Sequence, residues 1–271
     1  MRKTTRTMIE NFLDDYFSDE WSQYRNKDIT RETSREIIEM ECKNTRGFPN
    51  TEYGRILTEQ WYNNLSQEVY NDKYFFTLLY FCWLKYSRKY INDIYKNTFF
   101  SQLRQVDNVF DIGNGIGYST IQLCEIFGED TNIYATNIRN TEQWKFNEYL
   151  MTKRNKGYTL FENFEELKEI DKMLKVSSQQ NLIFASEFFE HLYEPIIYLE
   201  KMINILSPKY LIIANSFNTY SVGHYNEYRV DNTIVKSDIM TKIFNNKLKS
   251  LGYTQIKIGL WNNRPNIWEK L

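Results

Sequence analysis

The sequence is poor in cysteine and histidine, has no excess charge of either sign, and contains no long apolar run. Each shortage excludes something. The three cysteines, Cys42, Cys82 and Cys124, are far apart, and no C-x-x-C pair exists. That argues against a zinc ribbon or a disulfide framework and makes a reducing cytoplasm the expected location. A net charge of -1 and an isoelectric point near 6.2 lack the basic excess of a general nucleic-acid binder. A local basic face stays open. The longest apolar stretch, Tyr74 to Leu84, is too short to span a bilayer and reads as a buried helix. The start, Met1-Arg2-Lys3-Thr4, is basic but has no apolar segment behind it, so neither a signal peptide nor a membrane partner is expected. Only two histidines occur, His191 and His224.

What remains is enough for a folded core. The chain has 271 residues, of which 42% are hydrophobic, enough for one large domain or a domain with an appendage. Aromatics reach 17%, with 21 Tyr and 18 Phe. An AT-rich coding sequence explains that better than an aromatic substrate pocket does, though composition alone does not choose.

Residues 1–100 read as helical. Met8 to Phe17 and Thr33 to Cys42 have helical apolar spacing, Thr45 to Asn50 reads as a loop, and helices are expected over Glu52 to Tyr70 and Lys73 to Asn97. From about residue 105 short apolar runs alternate with helical segments. Strands are expected at Asn108 to Ile112, Asn132 to Thr136, Tyr158 to Phe161, Leu182 to Ala185, Tyr210 to Ala214, Thr254 to Ile258 and Asn266 to Glu269. Helices are expected at Tyr118 to Phe127, Thr141 to Arg154, Pro195 to Leu206 and Ser237 to Leu251. Such alternation predicts a Rossmann-like α/β fold, a mostly parallel sheet with helices on both faces.

Between the first strand and its helix lies Asp111-Ile112-Gly113-Asn114-Gly115-Ile116-Gly117. Small residues let the backbone turn tightly against a ligand at the carboxyl end of a strand. The spacing is G-x-G-x-G, not the G-x-G-x-x-G that seats a pyrophosphate, so a ligand without phosphate is implied.

Three segments together resemble the class I S-adenosylmethionine-dependent methyltransferases. Val109 to Gly117 resembles their motif I. Phe184-Ala185-Ser186-Glu187-Phe188-Phe189-Glu190-His191-Leu192 is similar to the motif after their fourth strand. Leu206-Ser207-Pro208-Lys209-Tyr210 resembles the turn into their fifth strand, with Lys209-Tyr210 replacing glycines. The resemblance covers residues 106–271. It implies a seven-stranded sheet whose last strand is antiparallel, with a methyltransferase domain over 101–271 and a helical lid or cap over 1–100. It implies S-adenosyl-L-methionine as cofactor, with Asp111, Gly113, Gly115 and Gly117 at its methionine end. Asn137 takes the place of the usual acidic residue for the ribose, and Glu162 or Asn163 stands at the adenine position.

Glu187, Glu190 and His191 would share one face if Glu187 began a helical turn, and His224 could complete a set. Mixed N and O donors suit a divalent ion such as Mg²⁺, Mn²⁺, Fe²⁺ or Zn²⁺, and the pattern is similar to the metal site of small-RNA 3′-end 2′-O-methyltransferases. The favoured expectation is a polar pair without metal, in which Glu190, His191 and His224 orient the acceptor or take its proton. The alternatives are the metal site and a structural role. Trp21, Tyr24, Tyr53, Trp61 and Tyr62 read as core more than as pocket. Arg25, Arg31, Arg35 and Arg46 read as a mixed solvated face more than an anion site. Methyl transfer to an O or N nucleophile of a small molecule is expected. An RNA methyltransferase and an inactive, partner-binding relative are the alternatives.

Overall fold

The computed structural model describes residues 17–25, 52–258 and 264–271. The expected helix over Thr33 to Cys42, the loop at Thr45 to Asn50, most of Met8 to Phe17, and Arg31, Arg35 and Arg46 lie outside the described residues.

Helix α1 (Phe17–Arg25), α2 (Glu52–Asn64), α3 (Lys73–Cys82), α4 (Arg88–Tyr95) and the short α5 (Phe100–Leu103) precede the first strand. Two differences from the expected helices appear. The first stops at Asn64, and Gln67–Asn71 forms a separate 3-10 turn capped by Ser66. The second contains a π turn, Trp83–Ser87, between α3 and α4. A π turn widens the helix by one residue and re-aims its side chains, a device common at functional sites.

The sheet comes next: β1 (Asn108–Asp111), α6 (Tyr118–Phe127), β2 (Asn132–Thr136), α7 (Glu142–Arg154), β3 (Thr159–Phe161), α8 (Phe164–Leu174), β4 (Asn181–Ser186), α9 (Pro195–Leu206), β5 (Tyr210–Ala214), the hairpin β6 (Glu227–Val230) and β7 (Thr233–Lys236), α10 (Ser237–Ser250), β8 (Tyr253–Ile256) and β9 (Asn266–Lys270). Seven strands form one sheet in the order β3-β2-β1-β4-β5-β9-β8. Neighbours are parallel except β9, which runs antiparallel to both β5 and β8. The sheet is the seven-stranded one expected, with its last strand reversed.

Alternating side chains bury both faces, as a parallel sheet requires. Phe110, Ile183, Leu211 and Ile213 face a core with α8, α9 and α10. Val109, Leu182, Phe184 and Ile212 face the other, with α4, α5 and α6. At the amino ends, in-register asparagines pin three strands together. Asn132 donates to Asn108 at 3.0 Å, and Asn108 donates to Asn181 at 2.8 Å. The chain leaves β1 outward through β2 and β3, then crosses back to β4. The carboxyl ends of β1 and β4 are thus the topological switch point, where open α/β sheets bind ligands.

Helix α8 and the β6–β7 hairpin were not expected from the sequence. The hairpin closes on Asp231-Asn232, a turn pair with φ of 53° at Asp231. Its Tyr228 is fully buried and donates its hydroxyl to the Glu190 carbonyl at 3.1 Å. The hairpin therefore braces the segment after β4.

Candidate active site

A cavity of about 580 Å³ opens at the switch point. Three walls enclose it: the glycine loop after β1, the segments after β4 and β5, and the π-turn face of the N-terminal helices.

The loop wall is fully tied. Gly113 and Gly117 have φ of 72° and 87°, which L side chains rarely adopt. Three buried asparagines hold the loop from behind. Asn114 donates to Thr120 Oγ1 at 2.9 Å and to Asn147 Oδ1 at 2.6 Å. Asn147 donates to the carbonyls of Gly115 and Gln143 at 2.9 and 2.8 Å, and its Oδ1 also accepts from Tyr158 at 3.0 Å. Asn137 donates to Asn114 Oδ1 at 2.9 Å and to the Gly115 carbonyl at 2.6 Å. Its own Oδ1 accepts from the Ile138 amide at 2.8 Å. Each amide has thus spent both its N–H groups and its oxygen inside the network. Asp111 is buried, and its Oδ2 accepts from Ser119 and Thr120 at 2.7 Å each. Burial raises its pKa to about 6, against the pull of those two hydroxyls.

The opposite wall holds charge that is poorly paired. Glu187 follows β4 with φ of 52°, and Phe189–His191 is a single 3-10 turn. The grouping of Glu187, Glu190 and His191 therefore arises from a left-handed kink plus a 3-10 turn, where the sequence pointed to one α-helical turn. Glu190 is fully buried; its Oε1 accepts from the Ser216 amide at 2.8 Å. Burial first, and the Glu187 carboxylate second, hold its carboxyl well above the usual range. Glu187 Oε2 accepts from Ser216 Oγ at 2.6 Å, while its Oε1 is buried without a hydrogen-bond partner. Burial, then the neighbouring His224, push His191 well below its ordinary value, and burial brings His224 to about 4. Both rings are therefore neutral at pH 7. Their centroids lie 4.7 Å apart. One donor atom from each of Glu190, His191 and His224 falls within 4.8 Å of the others.

Neighbouring elements fix these rings. Trp61 of α2 donates its indole N–H to the His224 carbonyl at 2.7 Å. The Tyr70 hydroxyl lies 3.3 Å from His191 Nδ1. Gly223 has φ of 81°, and a Cβ there would stand 2.3 Å from His191 Nδ1 and 2.6 Å from the Tyr70 hydroxyl. His224 Nδ1 is left buried with no partner.

The third wall comes from residues ahead of the sheet, notably Phe75, Leu79, Trp83, Tyr86 and Ser87. Ser87 Oγ meets Ser186 Oγ at 2.9 Å, joining the π turn to the end of β4.

Of the residues singled out in the sequence, Asp111, Gly113, Gly115, Glu187, His191 and His224 line the cavity, and Glu190 sits directly behind it. Gly117, Asn137 and Asn163 are placed elsewhere. Gly117 packs on Asn147, where a Cβ would stand 2.4 Å from Oδ1. Asn137 is turned into the loop network. Asn163 caps α8, accepting from the amides of Glu165 and Glu166. Trp21 and Trp61 are core, and Arg25 pairs with Glu142 at 3.3 Å. Ser216, Tyr70 and Arg264 went unrecognised. Asn215-Ser216 after the apolar β5 was the available signal for Ser216, since polar residues at a strand's carboxyl end face the switch point.

A divalent ion suits this wall. One donor atom from each of Glu190, His191 and His224 clusters there, the two imidazoles are held neutral, and His224 Nδ1 is buried without a hydrogen-bond partner. Metal ligation satisfies all of these at once.

No family model matches the chain, and no curated protein does. Among solved structures, the chain is similar to a SAM-dependent methyltransferase from Aquifex aeolicus, with 16% identity and TM-score 0.41 over 66% of this chain and 90% of that one. It is similar to the SAH-bound Podospora anserina methyltransferase PaMTH1, with 13% identity and TM-score 0.42 over 88% and 94%. It is similar to the small RNA methyltransferase HEN1, with 16% identity and TM-score 0.46 over 68% of this chain but only 25% of that one. With its strand order and single reversed strand, the chain has a Rossmann-like fold, with the seven-stranded sheet that the resemblance implied.

Proposed function

We propose that the chain is an S-adenosyl-L-methionine-dependent methyltransferase that methylates a hydroxyl of a small molecule, with a divalent ion held by Glu187, Glu190, His191 and His224. The observation that supports it is the cluster of one donor atom each from Glu190, His191 and His224 across one cavity from the glycine loop, with Glu187 lining the same cavity.

When bound, the cofactor supplies an activated sulfonium methyl, and a divalent ion supplies a Lewis acid that acidifies a hydroxyl. The chain's own residues position and exclude. Asp111, buried at the loop, offers a carboxylate to the ammonium of the methionine moiety. The loop's left-handed glycines let the cofactor lie against backbone. Neutral His191 and His224 offer lone pairs instead of positive charge toward the acceptor wall. Phe75, Trp83 and Tyr86 shield the cavity from water, which makes the N-terminal helices a cover for the site. Holding acceptor and methyl in line contributes several kcal/mol of the barrier reduction. A near-neutral chain with one Lys or Arg among the described cavity residues suits a small acceptor better than a long polyanion.

Calorimetric titration of S-adenosyl-L-methionine, with and without a chelator, tests the reading together with metal analysis of the purified protein. Cofactor binding with a stoichiometric divalent ion and chelator-sensitive turnover is expected. Chelator-resistant turnover would move His191 and His224 to the role of base. Absence of cofactor binding would end the methyltransferase reading.

A further inference from the structure

Arg264 is the only arginine or lysine among the described residues that line the cavity. Its place is set by the sheet. Asn266 of β9 pairs antiparallel with Ile213 of β5, so the residues just before β9 pass the carboxyl end of β5. There the guanidinium donates from one nitrogen to Ser216 Oγ at 2.8 Å, and that nitrogen lies 3.9 Å from Glu187 Oε1. Ser216 in turn donates through its hydroxyl to Glu187 and through its amide to Glu190. Arg264 thus stands on the same ledge as the proposed metal ligands, one serine removed from them. A guanidinium carries five N–H groups in a planar fork. Its side chain is 40% exposed, toward the cavity that it lines.

The charge balance changes when the ledge is loaded. Without an ion, Arg264 faces the half-buried Glu187 carboxylate at 3.9 Å. With one, the two carboxylates offset the divalent charge and the imidazoles add none. The guanidinium is then left uncompensated beside the acceptor position, with a cationic sulfonium across the cavity. A positive fork in such a place is complementary to an oxyanion, which it binds in bidentate fashion.

We infer that Arg264 is a specificity-determining residue that selects an acceptor bearing a carboxylate or phosphate close to the hydroxyl to be methylated. This rests on the metal-assisted reading above.

The test uses the full chain loaded with Mn²⁺ and S-adenosyl-homocysteine. Inorganic phosphate and, separately, acetate are titrated by calorimetry into the wild type, Arg264→Gln and Arg264→Lys, after Mn²⁺ affinity has been measured for each. We expect one oxyanion or both to bind the wild type. Binding should weaken about tenfold or more in Arg264→Gln and less in Arg264→Lys, which keeps the charge but not the fork. Mn²⁺ affinity should stay within about twofold across the three. The anion that binds identifies the oxyanion class. Equal binding by Arg264→Gln, or no binding of either anion to the Mn²⁺-loaded wild type, overturns the inference and leaves the metal reading standing. Failure of Mn²⁺ to bind the wild type overturns both.

Discussion

The two facing walls of the cavity are built on opposite principles. On the loop side, Asn114, Asn137 and Asn147 use every amide hydrogen they have on one another, on Thr120 and on the backbone. On the ledge side, Glu187 Oε1 and His224 Nδ1 are buried without a hydrogen-bond partner, and two carboxyls crowd each other. A satisfied buried network is rigid, while unsatisfied buried polar atoms cost free energy unless something binds them. The loop wall is therefore complete as folded, and the ledge is complete only with a ligand. Binding affinity for the cofactor should depend on the first wall, and chemistry on the second.

The sharpest way to break that division is to disable the ledge alone. Glu190→Gln and His224→Ala are each expected to lower methyl transfer by about 10³-fold or more, the scale of losing a metal or base function. Cofactor affinity, read by calorimetry, should change little. Parallel loss of both would show that the walls are not independent.

The loop wall can be broken by a change that looks like a repair. The resemblance implies an acidic residue where Asn137 stands, so Asn137→Asp would seem to restore it. The hydrogen bonds oppose this. The Asn137 amide nitrogen points at two acceptors, Asn114 Oδ1 and the Gly115 carbonyl. A carboxylate there would face both with no hydrogen to give. Asn137→Asp should cost roughly 2–4 kcal/mol of stability and weaken cofactor binding. Denaturant unfolding and calorimetry check this, and tighter cofactor binding would refute it.

Asn137 also shows how far the sequence could be read. Its position after β2 was legible, because the short apolar run Ile133-Tyr134-Ala135 ends there and the glycine loop marks the strand before it. Its orientation was not, since that depends on Asn114 and Asn147, distant in sequence. The same holds across the chain. Strands and helices rich in apolar residues fell where expected, as at Tyr118–Phe127 and Pro195–Leu206. Helix α8 was missed although Phe164, Leu167 and Ile170 stand at helical spacing behind the Asn163 cap, and the short β6–β7 hairpin gave too little signal. On the ledge, Glu187, Glu190, His191 and His224 stood out because the chain has only two histidines, both placed after strands. Arg264 did not, because it reaches the cavity only through the antiparallel return of β9. The π turn, which presents Trp83 and Tyr86, has no sequence signature at all.

A third change separates the walls through the backbone. Gly223→Ala adds a Cβ 2.3 Å from His191 Nδ1 at a backbone φ of 81°. The strain is worth about 1–3 kcal/mol, and the ring must move. Divalent-ion affinity should fall about 10- to 100-fold, as when ligand-orienting contacts are lost. The loop network does not involve Gly223, so cofactor affinity should hold.

The smallest expected effect lies in pH, and it sharpens the comparison because the two walls respond with opposite sign. Asp111 has its pKa raised by burial from 3.8 to about 6, so the cofactor's ammonium must meet a carboxylate that has first lost its proton. Cofactor affinity should fall as pH drops below about 6, by at most about tenfold per unit. For stability the direction reverses. A raised carboxyl pKa means that the folded state binds more protons than the unfolded one between 3.8 and about 6. Its contribution is full below 3.8 and lost as pH rises through about 6. His224, lowered from 6.5 to about 4, contributes stability that is full above 6.5 and lost as pH falls toward 4. The wild-type stability curve is the difference of the two, so it cannot assign either alone. Asp111→Asn removes the first and keeps the second. Its cofactor affinity should be low and flat with pH, and its unfolding free energy should decline more steeply than that of the wild type as pH falls from about 6 to about 4. A variant with the wild-type pH dependence of cofactor binding would place the ammonium contact elsewhere in the cavity.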